Sequence, residues 1–478
     1  MIDRRGLMAG AGAAALGVSP AFAQMAGGPV SWTPAPYRPP GKLLTHIGRK
    51  LCVVGDSYAG QNGNFVSGTN LNNLGAVTLL NMFAGWPFVF TPYDVFATNG
   101  GQLTQIISYL PAIVAGGYDF CVVQGCHNDC FNGRSLSAIQ ADYKTIASTL
   151  LAANIIPIIG ATSPMSSILG GPGSPPGPTL AQCVLLAQST NSWKRSWCEA
   201  NHLPFWDWYT PAVDLSPGSA GAYPVGYSGD LVHPGKRSNM AVAKQGLVDL
   251  AAIIPPPLSR TEAVALDMID TTYNPYGNFM PGSGLNWSGG GTIQTGSFGS
   301  GSVAAGMTFA KTYGTATAGN VTCSLVPASD GLGDWQQFSF SGPWTAGSNQ
   351  EKWLFFCFIN QANYAPGDVF ESDIEVSVDA NSPFSEVGLF CAEQNKDNSQ
   401  VKCNLIGPDS EPGVTYAWSG VMRTSPLTVP ANSATGSAAR ILFPQCEMIF
   451  DASAATGNPN FSGTVSFRRW RVSKVPPS

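Results

Sequence analysis

Between residues 50 and 253, short apolar runs alternate with longer helical stretches, and few folds accommodate that alternation. "KLCVVG" is an unbroken apolar run ending in glycine, and "YDFCVVQG" and "IIPIIGATSP" repeat the form. Between them lie segments of helical spacing. In "SLSAIQADYKTIASTLLAAN" the apolar positions are Leu136, Ile139, Tyr143, Ile146 and Leu150. Continuous apolar runs suit strands buried on both faces, and helices of this length suit the crossovers between parallel neighbours. The expectation is a parallel sheet with helices on both faces. "PFVFTPYDVFA" and "LPFWDWY" supply further strands, the first interrupted by Pro92. "QLTQIISYLPAIVAGG", "AQCVLLAQSTNSWKRSWCEANH" and "KRSNMAVAKQGLVDLAAII" supply further helices.

The pattern changes after "IIPPPLSR", whose three consecutive prolines read as a linker. Short alternating segments follow, such as "WQQFSFSG", "KWLFFCFIN", "SDIEVSVD" and "TVSFRRWRV", separated by clusters of Gly, Ser, Asn and Pro. These predict an all-β sandwich, jelly-roll-like in kind. The 478 residues agree with two domains. The expected plan is a signal peptide over 1–23, an extended arm over 24–48, an α/β domain over 49–254, a Pro-rich linker over 255–262 and a β-sandwich over 263–478.

The N-terminus predicts export. "MIDRRGLMAGAGAAALGVSPAFAQ" has Arg4 and Arg5, an apolar stretch from Leu7 to Val18 and the cleavage pattern Ala21-Phe22-Ala23. The adjacent arginines resemble a twin-arginine signal, which implies a periplasmic or secreted protein. No later segment has the length of a membrane span. A net charge of −5 excludes nucleic acid as a partner, because phosphate binding needs a basic footprint. Eleven cysteines in an exported chain permit disulfides, whose pairing the sequence does not assign. Nor does the sequence carry any reading of oligomeric state.

Chemistry in open α/β sheets collects at the C-terminal ends of the strands. Ser57 follows the first, in "VVGDSYAG"; Asn99, Gly100 and Gly101 follow the second; "QGCHND" (Gln124 to Asp129) follows the third. "DLVHP" (Asp230 to Pro234) precedes the last helix. On position alone Ser57 is either a helix N-cap or a nucleophile. A nucleophilic serine needs a base within hydrogen-bond reach and a group that orients the base. Of the four histidines, His46, His127, His202 and His233, only His233 has an aspartate three residues earlier, Asp230. Gly100 and Gly101 can form a tight turn, supply backbone donors, or both. "CHNDC" lacks the second ligand pair of a tetrahedral zinc site, so neither metal nor cofactor is expected. Trp206, Trp208, Trp287, Trp335, Trp344, Trp353, Trp418 and Trp470 are core residues or sugar-stacking platforms.

Gly55-Asp56-Ser57, Gly100/Gly101, Asn128-Asp129 and Asp230-x-x-His233, in this order, resemble the four sequence blocks of the SGNH (GDSL-like) hydrolases. The resemblance covers roughly residues 50 to 253 and implies a flavodoxin-like three-layer α/β/α fold. It further implies deacylation of esters, often acetyl groups on carbohydrates, with no cofactor. By that similarity Ser57 is the nucleophile, His233 the base and Asp230 its orienting acid. The oxyanion donors are the Ser57 N–H, a block-two glycine N–H and the Asn128 side chain. Gly101 is preferred over Gly100, because the family's glycine usually precedes a polar residue such as Gln102. Asp56 shapes the turn, and His127 is a lesser candidate for substrate contact. The family has glycine two positions before the asparagine, where this chain has Cys126. The expectation is an exported serine esterase acting on an acylated, most often O-acetylated, carbohydrate or polysaccharide. Its rivals are an acyltransferase with the same triad and a non-catalytic carbohydrate-binding or matrix protein.

Overall fold

Three strand sequences, LCVVG, FCVV and IPIIG, contain no polar side chain, and each is buried along its whole length. Strands of this kind need a cover on both faces, and here they have one. The computed structural model describes residues 48–66, 70–72, 75–168, 177–219, 221–256, 269, 277–281, 287–314, 316, 319–344, 350–359, 364–379, 384–394, 400–406, 417–424, 426–429, 441–451 and 461–475. The expected signal peptide, the arm up to residue 47 and the linker beyond Pro256 lie outside the described residues.

The first half runs β1 (Leu51–Gly55), α1 (Ser57–Gly60), β2 (Asn64–Val66), β3 (Asn70–Asn72), α2 (Ala76–Phe83), β4 (Val95–Ala97), α3 (Leu103–Ile107) and α4 (Leu110–Ala115). It continues with β5 (Phe120–Val123), α5 (His127–Phe131), α6 (Leu136–Ala152), β6 (Ile156–Gly160), α7 (Leu180–Ala200), β7 (Phe205–Trp206) and α8 (Lys236–Asp249). The strands β4-β1-β5-β6-β7 form one parallel sheet in that order. Counted along the chain this is 2-1-3-4-5, the flavodoxin-like order. Alternate side chains of β1 serve opposite faces. Leu51 and Val53 join one apolar cluster with Val122 and Ile158, while Cys52 and Val54 join another with Val123 and Ile159.

Proline sets the departures from the expected elements. Pro92 begins a 3₁₀ turn over Pro92–Asp94, so only Val95–Ala97 of "PFVFTPYDVFA" pairs as strand. The expected helix ending at Gly116 is two helices, with Pro111 in the first turn of α4, where its missing N–H costs nothing. The β2–β3 hairpin and α2 have no counterpart in the sequence reading.

The second half contributes β8 (Thr292–Gln294), β9 (Gly299–Gly301), β10 (Thr308–Tyr313), β11 (Asn320–Pro327), β12 (Asp334–Ser341), β13 (Gln350–Phe356) and β14 (Val369–Val378). Beyond them lie β15 (Phe384–Gln394), β16 (Gln400–Ile406), β17 (Trp418–Arg423), β18 (Leu427–Thr428), β19 (Ile441–Asp451) and β20 (Ser462–Lys474). Two mixed, mostly antiparallel sheets result: β2-β3-β16-β15-β19-β13-β10-β8, and β17-β14-β20-β12-β11-β9 with β18 beside β14. Rings from the two sheets meet face to face. Phe309 stacks on Phe338 at 4.3 Å, and Phe355 on Phe467 at 6.1 Å. Trp344, Trp353 and Trp470 are buried in this layer, as Trp206 and Trp208 are in the α/β half, so none of the five is a sugar platform. Cys52, Cys121, Cys126, Cys130, Cys183, Cys198, Cys323, Cys357 and Cys446 are buried free thiols, and the Cys403 side chain lies outside the described residues.

The halves are joined by more than a chain connection. The hairpin that follows α1 enters the eight-stranded sheet, with Asn70 and Asn72 in register with Lys402 and Asn404 of β16. The Trp86 indole N–H donates to the Val421 carbonyl at 2.6 Å. Gly420 of β17 lies so close to α2 that a Cβ there would sit 2.7 Å from the Met82 carbonyl oxygen. Gly420→Ala is therefore expected to destabilise the fold by about 1–3 kcal/mol, the usual cost of overpacking, measured by urea denaturation.

Candidate active site

β1 ends at Gly55, where nothing larger fits: a Cβ there would lie 2.2 Å from the carbonyl oxygen of Gln124, the residue after β5. The chain then turns into α1 through Asp56, the N-cap, whose Oδ1 accepts the Tyr58 N–H at 3.0 Å. Asp56 thus shapes the turn, as expected, and leaves Ser57 as the first residue of α1 at the sheet's C-terminal edge.

The partner arrives from 176 residues downstream: His233 Nε2 lies 2.8 Å from Ser57 Oγ. Its other ring nitrogen, Nδ1, lies 2.6 Å from Asp230 Oδ2. A carboxylate at Nδ1 fixes the proton there, so the lone pair of Nε2 faces the serine hydroxyl, which donates. The Asp230 carboxylate is itself held by its own turn, with Oδ1 accepting the Val232 N–H at 2.9 Å and the His233 N–H at 2.7 Å. Leu231 between them takes a left-handed φ of 67° to close that turn. Partial burial pushes the Asp230 carboxyl up, but hydrogen bonds from the His233 ring and the two backbone N–H groups outweigh it and hold the group at about 2.

The oxyanion candidates divide. No acceptor among the described residues takes the Ser57 N–H, and the same is true of the Gly100 N–H, at φ 72°. Gly101 differs: its N–H is spent on the Thr98 carbonyl at 2.9 Å. The expected preference for Gly101 is therefore corrected to Gly100, because the 98–101 turn consumes the Gly101 donor. Asn128 donates one side-chain N–H to the Gly101 carbonyl at 3.1 Å, which leaves its second N–H for a ligand.

The irregular third block resolves without an extra residue. Cys126 takes the left-handed conformation itself, φ 96°, as the N-cap of α5. Asp129, quoted from the sequence in the third block but given no role in the site, ties α5 to the second block. Its buried carboxylate accepts the Leu103 N–H at the start of α3, at 3.1 Å to Oδ2, and pairs with Arg134 at 2.6 Å. Burial pushes the Asp129 carboxyl up and these donors pull it back. Its position beside Asn128 was visible in the sequence, but no spacing shows that it caps a helix 26 residues earlier. His127 is corrected as well. It is fully buried, stacked on the Tyr58 ring at 3.8 Å, with Nε2 directed at the Ser163 carbonyl, so it does not contact substrate.

No protein-family model matches the chain, and no curated protein matches it in sequence. Similar solved structures include a member of the lipolytic protein G-D-S-L family from Veillonella parvula, at 14% identity and TM-score 0.31, covering 42% of this chain and 98% of that one. A GDSL-like lipase from Bacteroides thetaiotaomicron shares 16% identity at TM-score 0.31, covering 45% of this chain and 90% of that one. A catalytic mutant of an acetylxylan esterase from Geobacillus stearothermophilus shares 17% identity at TM-score 0.29, covering 42% and 94%. The geometry of the site carries the functional reading.

That geometry carries a pH signature. The Asp230 carboxyl is depressed in the folded chain, so its stabilisation is complete above the unfolded value of about 4 and is lost as the pH falls through about 2. The Tm difference between the wild type and Asp230→Asn is expected to be present near pH 5 and to close on acidification to about 2, followed by scanning calorimetry.

Proposed function

We propose that this protein is an exported serine esterase of the SGNH type that removes acyl groups, most often acetyl, from a carbohydrate or polysaccharide. One observation carries the reading: a single imidazole lies 2.8 Å from the Ser57 hydroxyl and 2.6 Å from the Asp230 carboxylate. A serine that only caps a helix needs neither contact.

In this reading Ser57 Oγ attacks the acyl carbonyl carbon while His233 Nε2 takes the hydroxyl proton. The negative oxygen of the tetrahedral intermediate meets the Ser57 N–H, the Gly100 N–H and the free N–H of Asn128. Collapse expels the sugar hydroxyl, which receives its proton from His233, and leaves an acyl-Ser57 ester. Water then gives a proton to His233 and attacks the acyl carbon. The second collapse releases the carboxylic acid and returns the proton to Ser57. Asp230 keeps the imidazole in the required tautomer throughout and stabilises its charged form.

The carbohydrate part of the proposal rests on the resemblance of the four blocks and on the β-rich second half; export rests on the N-terminal pattern. Acetate release from a panel of acetylated polysaccharides tests the whole. The wild type is expected to release acetate and to be labelled on Ser57 by a serine-directed phosphonate, whereas Ser57→Ala does neither. Acyl transfer to an added glycan in place of acetate release would assign the chain to the transferase reading. A wild type that is never labelled would leave only a binding role. Asn128→Ala is expected to cost about 2.7–4 kcal/mol of transition-state stabilisation in kcat/KM, as loss of an oxyanion donor does.

A further inference from the structure

We propose that Tyr58, the residue after the nucleophile, is a positioning residue that holds His233 against Ser57; the inference rests on the esterase reading above. Tyr58 is buried and touches the base through the backbone, not through the ring nitrogens. Its hydroxyl donates to the Val232 carbonyl at 2.5 Å, across 174 residues of chain. The peptide unit between Val232 and His233 is thereby gripped at both ends, its oxygen by Tyr58 and its N–H by Asp230 Oδ1 at 2.7 Å. The plane of that peptide sets the direction in which the His233 side chain leaves the backbone.

Tyr58 is itself fixed on three sides. Its N–H is held by Asp56 Oδ1 at 3.0 Å. One face of its ring stacks on His127 at 3.8 Å, with 11° between the planes, and the His233 ring lies 5.4 Å away at 46°. His127 is anchored in turn by the Ser163 carbonyl, 3.1 Å from Nε2, and its Nδ1 lies 3.7 Å from Asp56 Oδ2. Burial pushes the Tyr58 hydroxyl well above the ordinary tyrosine range, so the group stays protonated and remains a donor. Nucleophile and base thus share one reference. Ser57 is covalently attached to Tyr58, and His233 is hydrogen-bonded to it through its own backbone. Small displacements between reacting groups cost large factors in rate, which gives this tether its value.

The test is Tyr58→Phe, which keeps the ring and its stacking and removes one oxygen. Because Tyr58 is buried behind the triad, kcat for a small acetyl ester is expected to fall roughly tenfold, the size of one buried hydrogen bond, with KM changed less than about twofold. The rate of phosphonate labelling at Ser57 is expected to fall by the same factor. Activity is counted per labelled site, so partial unfolding does not imitate the effect. In the proton NMR spectrum the downfield resonance of the His233 Nδ1–H, bonded to Asp230, is expected to broaden in the variant while the methyl region stays dispersed. An unchanged kcat per labelled site, with an unchanged downfield resonance, overturns the assignment. If the wild type neither turns over ester nor accepts the phosphonate, the esterase reading fails instead, and the resonance alone decides whether Tyr58 holds the turn.

Discussion

The position of β1 between β4 and β5 governs the site. The chain leaves β1 toward one neighbour and returns to the other, so the segments that follow β1 and β5 diverge around a crevice at their C-terminal ends. Gly55 and Gln124 come together there more closely than any side chain at position 55 would allow. That contact brings Ser57, at the head of α1, and Asn128, in the first turn of α5, to the same edge of the sheet. Parallel pairing sets the height of both loops, because neighbouring strands end within a residue or two of each other in register: Val54 with Phe96 and with Val123. The turn before the last helix then delivers Asp230 and His233.

Behind the crevice the protein buries polar groups that an ordinary core excludes. Asp56, His127, Asp129 and Lys194 are all fully buried. Most of their polar atoms have partners, as burial requires, while Asp56 Oδ2 and His127 Nδ1 lie 3.7 Å apart with no hydrogen bond among the described residues. The Lys194 ammonium donates to the Gly160 carbonyl at 3.0 Å and to Thr162 Oγ1 at 3.1 Å, and it lies 4.3 Å from the face of the Tyr143 ring. Burial still pulls its pKa down. Asp129 spends its carboxylate on the first turn of α3 and on Arg134, and Asn128 spends one N–H on Gly101. The bonds joining Asp129 to Leu103 and Asn128 to Gly101 run between loops rather than within them. They hold the second and third blocks in one geometry, which a purely apolar layer, being non-directional, does not do.

Much of this was legible before any coordinates. Unbroken runs such as CVV and PII announce strands covered on both faces, and "DLVHP" contains a turn whose aspartate reaches its own histidine. Both are local: strand burial is written in consecutive side chains, and the Asp230 turn closes within four residues. What escaped the reading depends on contacts across the chain. Gly100 and Gly101 are indistinguishable as letters, and only the hydrogen bond from Gly101 to Thr98 separates them. Cys126 looked like an obstacle, yet the turn tolerates a side chain at φ 96°. His127, two residues from the Gly125 at the strand end, read as a lesser candidate for substrate contact and is buried, because Tyr58 and Ser163 close over it. The hairpin over Asn64–Val66 and Asn70–Asn72 carries no strong strand pattern of its own, and it gains its pairing from β16, more than 300 residues away.

By itself the sequence determined the parallel α/β layer, the change to short antiparallel strands beyond the prolines, and which serine, histidine and aspartate are candidates for one triad. Each of these follows from periodicity or short-range spacing, which adjacent residues express without help from the rest of the chain. Tertiary structure alone decided which glycine keeps a free N–H, that Tyr58 and Asp129 brace the site, and that the β-rich half grips the segment following the nucleophile. Those outcomes depend on which donor meets which acceptor after the chain has closed on itself. Linear order does not specify that, because a buried polar group binds whatever partner the packing brings to it.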